Sequence, residues 1–269
     1  MEIKEYVKLR KEAIKDEIAK MTIVPKLIII QINNDEASNA YVKGKMKDLG
    51  YIGANFEHIN LPIETTQEQL FRIIDQYNND NTCDGILVQM PLPKGIDEEL
   101  VKERITPLKD VDGFHPMSSY VPCTPKGIID YLIAEGVEFK GKNAVVIGRS
   151  NIVGKPAAKL LLSLNCNVTV LHSKTSNEDM RFYLEHADIV IVAVGKKYFL
   201  DKSYKLKDSA VIVDVGINRV DGVLYGDCEP NLNVRLQTPV PGGVGLLTRL
   251  TMLENLLLCY RERRNKDGI

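Results

Sequence analysis

Tryptophan is absent from this chain, and aromatic residues make up only 6% of it. That leaves little on which the bases of a single nucleic-acid strand stack. Net charge is almost absent too: 35 basic residues stand against 36 acidic ones, so no bulk field draws the chain to nucleic acid or to an anionic membrane. The four histidines form no H-x-x-x-H or related set, and the five cysteines, at 83, 123, 166, 228 and 259, have no metal spacing. No protein-built metal site is expected, and reduced thiols in a cytoplasmic protein are. The N-terminal stretch has no apolar core ahead of a cleavage site, so no signal peptide is read. The longest apolar runs, Leu27–Ile30 and Ile189–Val194, are far too short to span a bilayer. They suit strands buried on both faces of a parallel sheet.

What is present is an alternation of strand and helix patterns. Apolar residues make up 44% of the 269 positions, enough for one large α/β domain or two smaller ones. Ile3, Val7, Ile14 and Ile18 share one face of an opening amphipathic helix. Strands are then expected at Lys26–Ile32, Asn55–Asn60 and Gly85–Gln89, with helices at Ser38–Leu49 and Thr66–Asn78. Thr65 or Thr66 followed by Gln and Glu marks a helix cap. Pro91 to Pro125 is rich in loops, with a short helix near Asp97–Glu103, and Pro125–Glu135 reads as a linking helix. A second series follows, with strands at Asn143–Ile147, Asn167–Leu171, Ile189–Val194 and Ala210–Val215 and helices near Lys155–Leu164 and Glu178–Glu185. The fold class is α/β, with two doubly wound domains and a cleft between them, the C-terminal one of Rossmann type. The last helix, Leu246–Arg261, has no place in the second series and is expected to return to the first. The domains are therefore set at residues 1–122 plus 246–269, and 123–245.

The most informative stretch runs from Ala144 to Pro156. A β-branched strand stops at Gly148, and a helical pattern is under way seven residues later. Backbone N–H groups at such a turn bind phosphate. Gly148-x5-Gly154 is not the G-x-G-x-x-G fingerprint, and by itself it is weak evidence that fits a plain strand–helix turn better than a nucleotide site. The next strand tip decides between the readings. There, NAD-selective sites carry an acid for the ribose 2′-hydroxyl, but this chain has His172-Ser-Lys-Thr175. Arg149, Ser173 and Lys174 would instead bind a 2′-phosphate, which points to NADP. Ser150 adds a hydroxyl to the turn. Two more strand ends, Ala193-Val-Gly195 and Asp214-Val-Gly-Ile-Asn218, carry small residues that let a flat ring approach the backbone. Ile217 would pack on that ring or offer its main-chain groups.

A second constellation lies in the first half. Tyr41 and Lys45, four apart on a helix, project from one side, at the margin of a buried stripe of Val42, Met46 and Leu49. Lys43 and Lys47 read as solvated. The strand starting at Gly85 ends in one polar side chain, Gln89, followed by Met90-Pro-Leu-Pro93, and ligands in open α/β sheets sit at such ends. Lys109-Asp-Val-Asp-Gly113 adds two acids in a turn, and one of them suits the N–H donors of an amino-pyrimidine ring. Pro239-Val-Pro-Gly-Gly-Val-Gly245 has almost no side-chain bulk and can lie against a flat ligand.

Taken in order, these segments resemble the bifunctional methylenetetrahydrofolate dehydrogenase/cyclohydrolase family. The resemblance rests on Tyr41-Val-Lys-Gly-Lys45, Gly85–Pro93, Lys109–Pro116, Pro122-Cys-Thr-Pro125, Gly148–Pro156, His172–Thr175, Asp214–Asn218 and Thr238–Gly245, and it covers nearly the whole chain. It implies oxidation of 5,10-methylenetetrahydrofolate with NADP⁺, followed by hydrolysis of the methenyl product to 10-formyltetrahydrofolate. It further implies that Lys45 is the catalytic lysine of the hydrolytic step, that Tyr41 stacks on the folate, that Gln89 tunes Lys45, and that Asp112 holds the pterin. Val88, Met90, Pro241, Gly242, Gly243, Val244 and Gly245 are implied as further substrate contacts. Gly148, Arg149, Ser150, Ser173 and Ile217 are implied for the cofactor, with a homodimer as the assembly.

Three departures stand out. Asn33-Asn34 replaces a usual glycine, and asparagine tolerates a left-handed turn. Ser118 and Tyr120 replace Asn and Gly, which leaves that loop's geometry open. Leu246-Leu247 replaces Pro-Met, loosening the start of the last helix. The altered flank raises the alternative of a dehydrogenase with weak or lost cyclohydrolase activity. A catalytically silent folate- or nucleotide-binding protein is a further alternative, against which the joint retention of Lys45, Gln89 and Asp112 speaks.

The reading of Arg149 is directly testable. Arg149→Ala is expected to raise the Kd for NADP⁺ at least about tenfold while changing that for NAD⁺ little, the loss of one charge-assisted contact. Titration with each nucleotide measures this, and equal losses for both would remove Arg149 from the 2′-phosphate site.

Overall fold

The computed structural model describes residues 1–33 and 35–267, with side chains as far as Arg264. The chain divides into two compact units. One holds Lys8–Cys123 and the residues from Arg249 onward; the other holds Met1–Val7 and Thr124–Thr248.

The first unit is built on a three-stranded parallel sheet. It contains β1 (Lys26–Gln31), α2 (Glu36–Ile52), β2 (Asn55–Asn60), α3 (Gln67–Asn79), β3 (Gly85–Val88) and α4 (Glu98–Arg104), and is preceded by α1 (Ile3–Ile18), whose first residues belong to the other unit. The strand order is β2-β1-β3. β1 is central, which explains why Leu27 to Ile30 are wholly inaccessible. Ile28, Ile30 and Ile86 pack against Leu70, Ile74 and Val101 from the helices. Edge strand β2 is half exposed and alternates, as a strand covered on one face should. α3 begins with a capping box: Gln69 N donates to Thr66 Oγ1 at 3.3 Å and Thr66 N to Gln69 Oε1 at 2.8 Å, which selects Thr66 over Thr65 as the cap.

The second unit carries α5 (Cys123–Ala134) from its second residue on, β4 (Asn143–Ile147), α6 (Gly154–Ser163), β5 (Asn167–Leu171), α7 (Asn177–His186), β6 (Ile189–Val192) and β7 (Val211–Asp214). A hairpin of β8 (Asn218–Val220) and β9 (Val223–Tyr225) follows, then β10 (Leu236–Gln237) and α8 (Val244–Asp267). The sheet order is β10-β7-β6-β4-β5, all parallel. Chain direction across the sheet reverses at β4, where a doubly wound fold opens a crevice for a ligand. The core of this sheet is formed by Val145, Ile147, Val190, Val192 and Ile212 packed on Leu184 and Leu171.

α8 is divided between Thr248 and Arg249. Beyond that point Leu250, Leu253 and Leu256 are buried, and Leu256 lies so close to Gly85 that a Cβ there would sit 3.0 Å from it. The opening residues depart from the expected boundary: Met1–Val7 group with Thr124–Thr248. The reason is local. The Met1 amine donates to Glu135 at 2.8 Å, the Tyr131 hydroxyl donates to the Met1 carbonyl at 3.0 Å, and the Tyr6 and Tyr131 rings meet edge to face. α8 also starts earlier than expected, at Val244, without a proline. All five cysteines are buried and free of disulfides. Among the described residues no helix is long and apolar enough to cross a membrane, and no group of three or more His, Cys, Asp or Glu side chains could hold a metal ion.

The far end of α8 is fixed by a buried ion pair. Arg263 donates to Asp84 Oδ1 at 2.7 Å, to the Asn81 carbonyl at 2.9 Å and to the Cys83 carbonyl. Removing one partner of such a pair leaves the other charge buried and uncompensated. Arg263→Ala is therefore expected to cost about 3 kcal/mol, measured as a lower urea midpoint. An unchanged midpoint would mean the pair contributes nothing to stability.

Candidate active site

α2 positions the first group of side chains. Asp35 caps it by accepting from Ser38 N at 2.9 Å, and Gly53 ends it in the left-handed region. Lys45 is not at the margin of the buried stripe as expected: it is itself buried, at 5% exposure, whereas Met46 is only half buried. The covering groups come from outside the helix. Lys45 Nζ donates to Gln89 Oε1 at 3.0 Å and stands 5.0 Å from the centre of the Tyr41 ring. Gln89 is held in turn by donating to the Met90 carbonyl at 2.7 Å, and its own N–H continues the sheet to the Ile30 carbonyl. Gln89 thus sits at the carboxyl ends of β1 and β3, where the strand order reverses.

Burial pulls the Lys45 ammonium below its usual range, and the Asp112 carboxylate opposes that pull. Asp112 is itself raised by burial. A single parallel bridge pairs Ile86 with Asp110, which brings the Asp110–Gly113 turn to the edge of β3. Gly113 allows the turn: its φ is +72°, and a Cβ there would come within 2.8 Å of the Val121–Pro122 backbone. Lys109 caps the end of α3 by donating to the carbonyls of Tyr77, Asn78 and Asp80. Asp110 accepts from Gly113 N and His115 N. Of the two acids, Asp110 is therefore spent on the turn. Among the described residues no hydrogen bond takes up the Asp112 carboxylate, so it is the one left for a ligand.

Sequence reasoning missed Asn255 of α8, which is wholly buried and donates to the Val111 carbonyl at 2.9 Å and the Val121 carbonyl at 3.3 Å. It clamps both arms of the loop that carries Asp112. A lone asparagine in an apolar helical stripe was the available signal. The departures at Ser118 and Tyr120 serve the same loop. The Ser118 hydroxyl bonds Asp110 and accepts from Tyr120 N, while the buried Tyr120 donates to Glu262 at 3.0 Å. The expected turn at Asn33-Asn34 lies partly outside the described residues, since Asn34 is not among them; Asn33 donates to the Pro91 carbonyl at 2.6 Å. Val88 is packed into the core at 3% exposure, so its side chain is not available to a ligand. Met90 is half buried.

In the other unit, Gly148 N donates to the Leu171 carbonyl at 2.9 Å with φ +119°. A Cβ at Gly148 would strike the Ala193 carbonyl, and one at Gly154 would strike the Gly148 carbonyl. Both glycines are needed for β4, β6 and the start of α6 to close up, leaving main chain alone at the switch point. Ser150 Oγ accepts from Val153 N at 3.2 Å and Gly154 N at 3.3 Å. It therefore braces the turn that leads into α6, and its hydroxyl hydrogen remains to donate. β4 and β5 are neighbours in register, Ile147 beside Leu171, so Arg149 and Ser173 emerge at adjacent strand tips. Both are exposed, and among the described residues Arg149 makes no hydrogen bond or ion pair. These features fit a nucleotide with a 2′-phosphate.

Asp227 is a second omission of the sequence reading. It is wholly buried, and its carboxylate accepts from the backbone N–H groups of Val194, Gly195 and Lys196 and from the Asn218 amide, at 2.7 to 2.9 Å. Asp214 grips Gly216 N, Asp227 N and Cys228 N in the same way. The two loops with small residues are thus shaped by carboxylates, and Ile217, on the second of them, is 60% exposed. The loop Pro241–Gly245 belongs to this unit. Gly242 has φ +92°, Gly243 has no room for a Cβ beside the Pro239 carbonyl, and Val244 is buried.

Comparison with known proteins accords with this geometry. Residues 1–112 match the catalytic domain of tetrahydrofolate dehydrogenase/cyclohydrolase, and residues 122–264 match that family's NAD(P)-binding domain. The chain belongs to the tetrahydrofolate dehydrogenase/cyclohydrolase family. Among its relatives, the bifunctional protein FolD of Halalkalibacterium halodurans is 44% identical, over 94% of this chain and 95% of its own. The crystal structure of the bifunctional FolD of Campylobacter jejuni superposes with a TM-score of 0.87 at 38% identity, covering 97% of this chain and 95% of that one. The Trypanosoma brucei enzyme, complexed with NADP cofactor and an inhibitor, superposes at 0.92 with 31% identity and 97% coverage of both.

The Asp110 turn yields a pH prediction. Burial first, and the Asp112 charge with it, push the Asp110 carboxyl up to about 6. A raised folded pKa means the native state holds a proton that the unfolded chain releases. This contribution is complete below the unfolded value near 4 and is lost as pH rises through about 6. Relative to Asp110→Asn, the parent is expected to lose about 2 kcal/mol of stability between pH 4 and 7, read from paired urea melts. Parallel pH curves would show that Asp110 titrates normally.

Proposed function

We propose that this chain oxidises 5,10-methylenetetrahydrofolate with NADP⁺ and hydrolyses the resulting 5,10-methenyl cation to 10-formyltetrahydrofolate, as a bifunctional enzyme of one-carbon metabolism. The observation that carries this reading is the buried Lys45 amine, hydrogen-bonded to Gln89 and facing Asp112 at the carboxyl end of a parallel sheet, in a chain of this family.

NADP supplies the hydride acceptor. In this reading Arg149 and Ser173 bind its 2′-phosphate, Gly148 and Ser150 offer the main chain and a hydroxyl, and Ile217 meets the nicotinamide end. Asp112 accepts N–H bonds from the pterin, and the Tyr41 ring stacks on the folate. Val88 and Met90 contribute main chain beside Gln89, and Pro241, Gly242, Gly243, Val244 and Gly245 provide a surface of low bulk. Loss of hydride from the methylene carbon is assisted by the substrate's own nitrogens, so this step mainly requires both partners to be held in register.

Hydrolysis requires proton movement. Water adds to the methenyl carbon and gives up a proton. As the bond from that carbon to N5 then breaks, the added hydroxyl gives its remaining proton to solvent and becomes the carbonyl, N5 gains a proton, and the formyl group stays on N10. A neutral Lys45 amine accepts the first proton and returns one to N5. Desolvation makes the neutral form accessible, and Gln89 Oε1, accepting from Nζ, aims the amine. The assembly is proposed to be a homodimer and the location cytoplasmic.

Purified protein given methylenetetrahydrofolate and NADP⁺ should form NADPH, followed by decay of the methenyl absorbance. Lys45→Met is expected to slow that decay at least about a hundredfold while NADPH still forms. Unchanged decay in this variant would refute the role given to Lys45, and absence of NADPH in the parent would refute the dehydrogenase.

A further inference from the structure

Beside Lys45 stands a charged group that neither the family resemblance nor the proposed mechanism uses. Arg249, in the first turns of α8, lies along the Gly44–Asp48 ridge of α2. A Cβ on Gly44 would run straight into its guanidinium, so the missing side chain at 44 is the slot that the guanidinium fills. Its Nε stands 2.8 Å from Asp48 Oδ2, and the other oxygen of Asp48 accepts from Lys11 Nζ at 2.6 Å. Asp48 is 5% exposed and the Arg249 side chain 20%. The guanidinium is therefore held by one buried carboxylate that it shares with a second cation, and lies against Gly44, the residue before Lys45.

We propose that Arg249 is a positioning residue for hydrolysis: seated over Gly44 and tied to Asp48, it fixes a positive charge beside Lys45 and so favours the neutral, proton-accepting amine. The inference rests on the hydrolytic role proposed for Lys45. The groups facing that amine are few. From α2 come the Tyr41 ring and, one turn on, Asp48; from the end of β3 the uncharged Gln89. The loop after α4 contributes Asp112, whose negative charge favours the ammonium. The start of α5 contributes Cys123, whose thiol burial keeps protonated, and α8 contributes Arg249. Asp112 and Arg249 thus act on Lys45 in opposite directions. A ligand whose N–H donors engage Asp112 offsets part of that carboxylate's field at the amine, the arginine's share of the balance grows, and the amine releases its proton more readily.

A merely structural pin between α2 and α8 would alter stability without moving the titration of Lys45. Three variants separate the two roles. Arg249→Met keeps the stem and removes the charge, Arg249→Lys keeps a charge, and Gly44→Ala displaces the guanidinium without removing it. Lys45 is titrated by NMR in lysine-labelled protein, its signal assigned by its loss in Lys45→Met, and the pH profile of methenyl decay is recorded alongside. Arg249→Met is expected to move both the Lys45 midpoint and the acid limb of the profile upward by about half to one pH unit. Gly44→Ala should move them the same way by less, and Arg249→Lys should restore values near the parent. If Arg249→Met does not fold, the contrast between Gly44→Ala and Arg249→Lys decides. Unmoved midpoints in a series whose parent consumes the methenyl product overturn this inference alone. A parent that does not consume it overturns the role of Lys45 and this inference with it.

Discussion

Keeping an ammonium out of water is the constraint on which the catalytic unit depends. A lysine at 5% exposure is tolerated only where hydrogen bonding and a nearby opposite charge offset the lost hydration. Gln89 supplies the first and Asp112 the second. Each of those needs its own support: Gln89 from the carbonyl of the next residue, and Asp112 from a turn built by Lys109, Asp110, Gly113 and Asn255. Much of the polar interior of this unit serves to hold one amine in a place it would otherwise leave. The same desolvation lowers the cost at which the amine gives up its proton.

The two units solve different problems with one topology. In each, a central strand is flanked by the strands that follow it in sequence, and the crevice opens where the order turns back. In the first unit a side chain, Gln89, fills that point. In the second, glycine at 148 leaves it to the backbone. Acid–base work needs a titratable group with a lowered solvent share, whereas nucleotide binding needs main-chain donors within reach of a phosphate. The difference between the crevices is thus visible in which residue types stand at equivalent strand ends.

Much of this was legible from the sequence. Strands at Asn55–Asn60, Asn143–Ile147 and Asn167–Leu171 occur where expected, the first because its residues alternate and the other two because a polar residue precedes a short β-branched run. Helix ends shifted by one to three residues, since caps such as Asp35 act from outside the periodic pattern, except that α8 runs on from the expected Arg261 to Asp267. The β8–β9 hairpin was overlooked although Asp221-Gly222, both with positive φ, is a strong two-residue turn signal; its strands are too short to show alternation. Lys45 was read as marginal because periodicity along α2 reports only what that helix alone would bury, and the groups that cover it come from β3, the 110–113 turn and α8. Asp227 left no local trace, because its partners are mostly main-chain N–H groups about 30 residues upstream.

That last arrangement bears on how freely the cofactor surroundings can change. Asp227 holds residues 194 to 196 by their backbones, so the curvature of that loop does not depend on its own side chains. Those positions can drift or be redesigned to suit a different nucleotide while their path stays set from elsewhere. The vulnerable residue is the distant aspartate, at a position where a scan of ligand-contacting residues would never look.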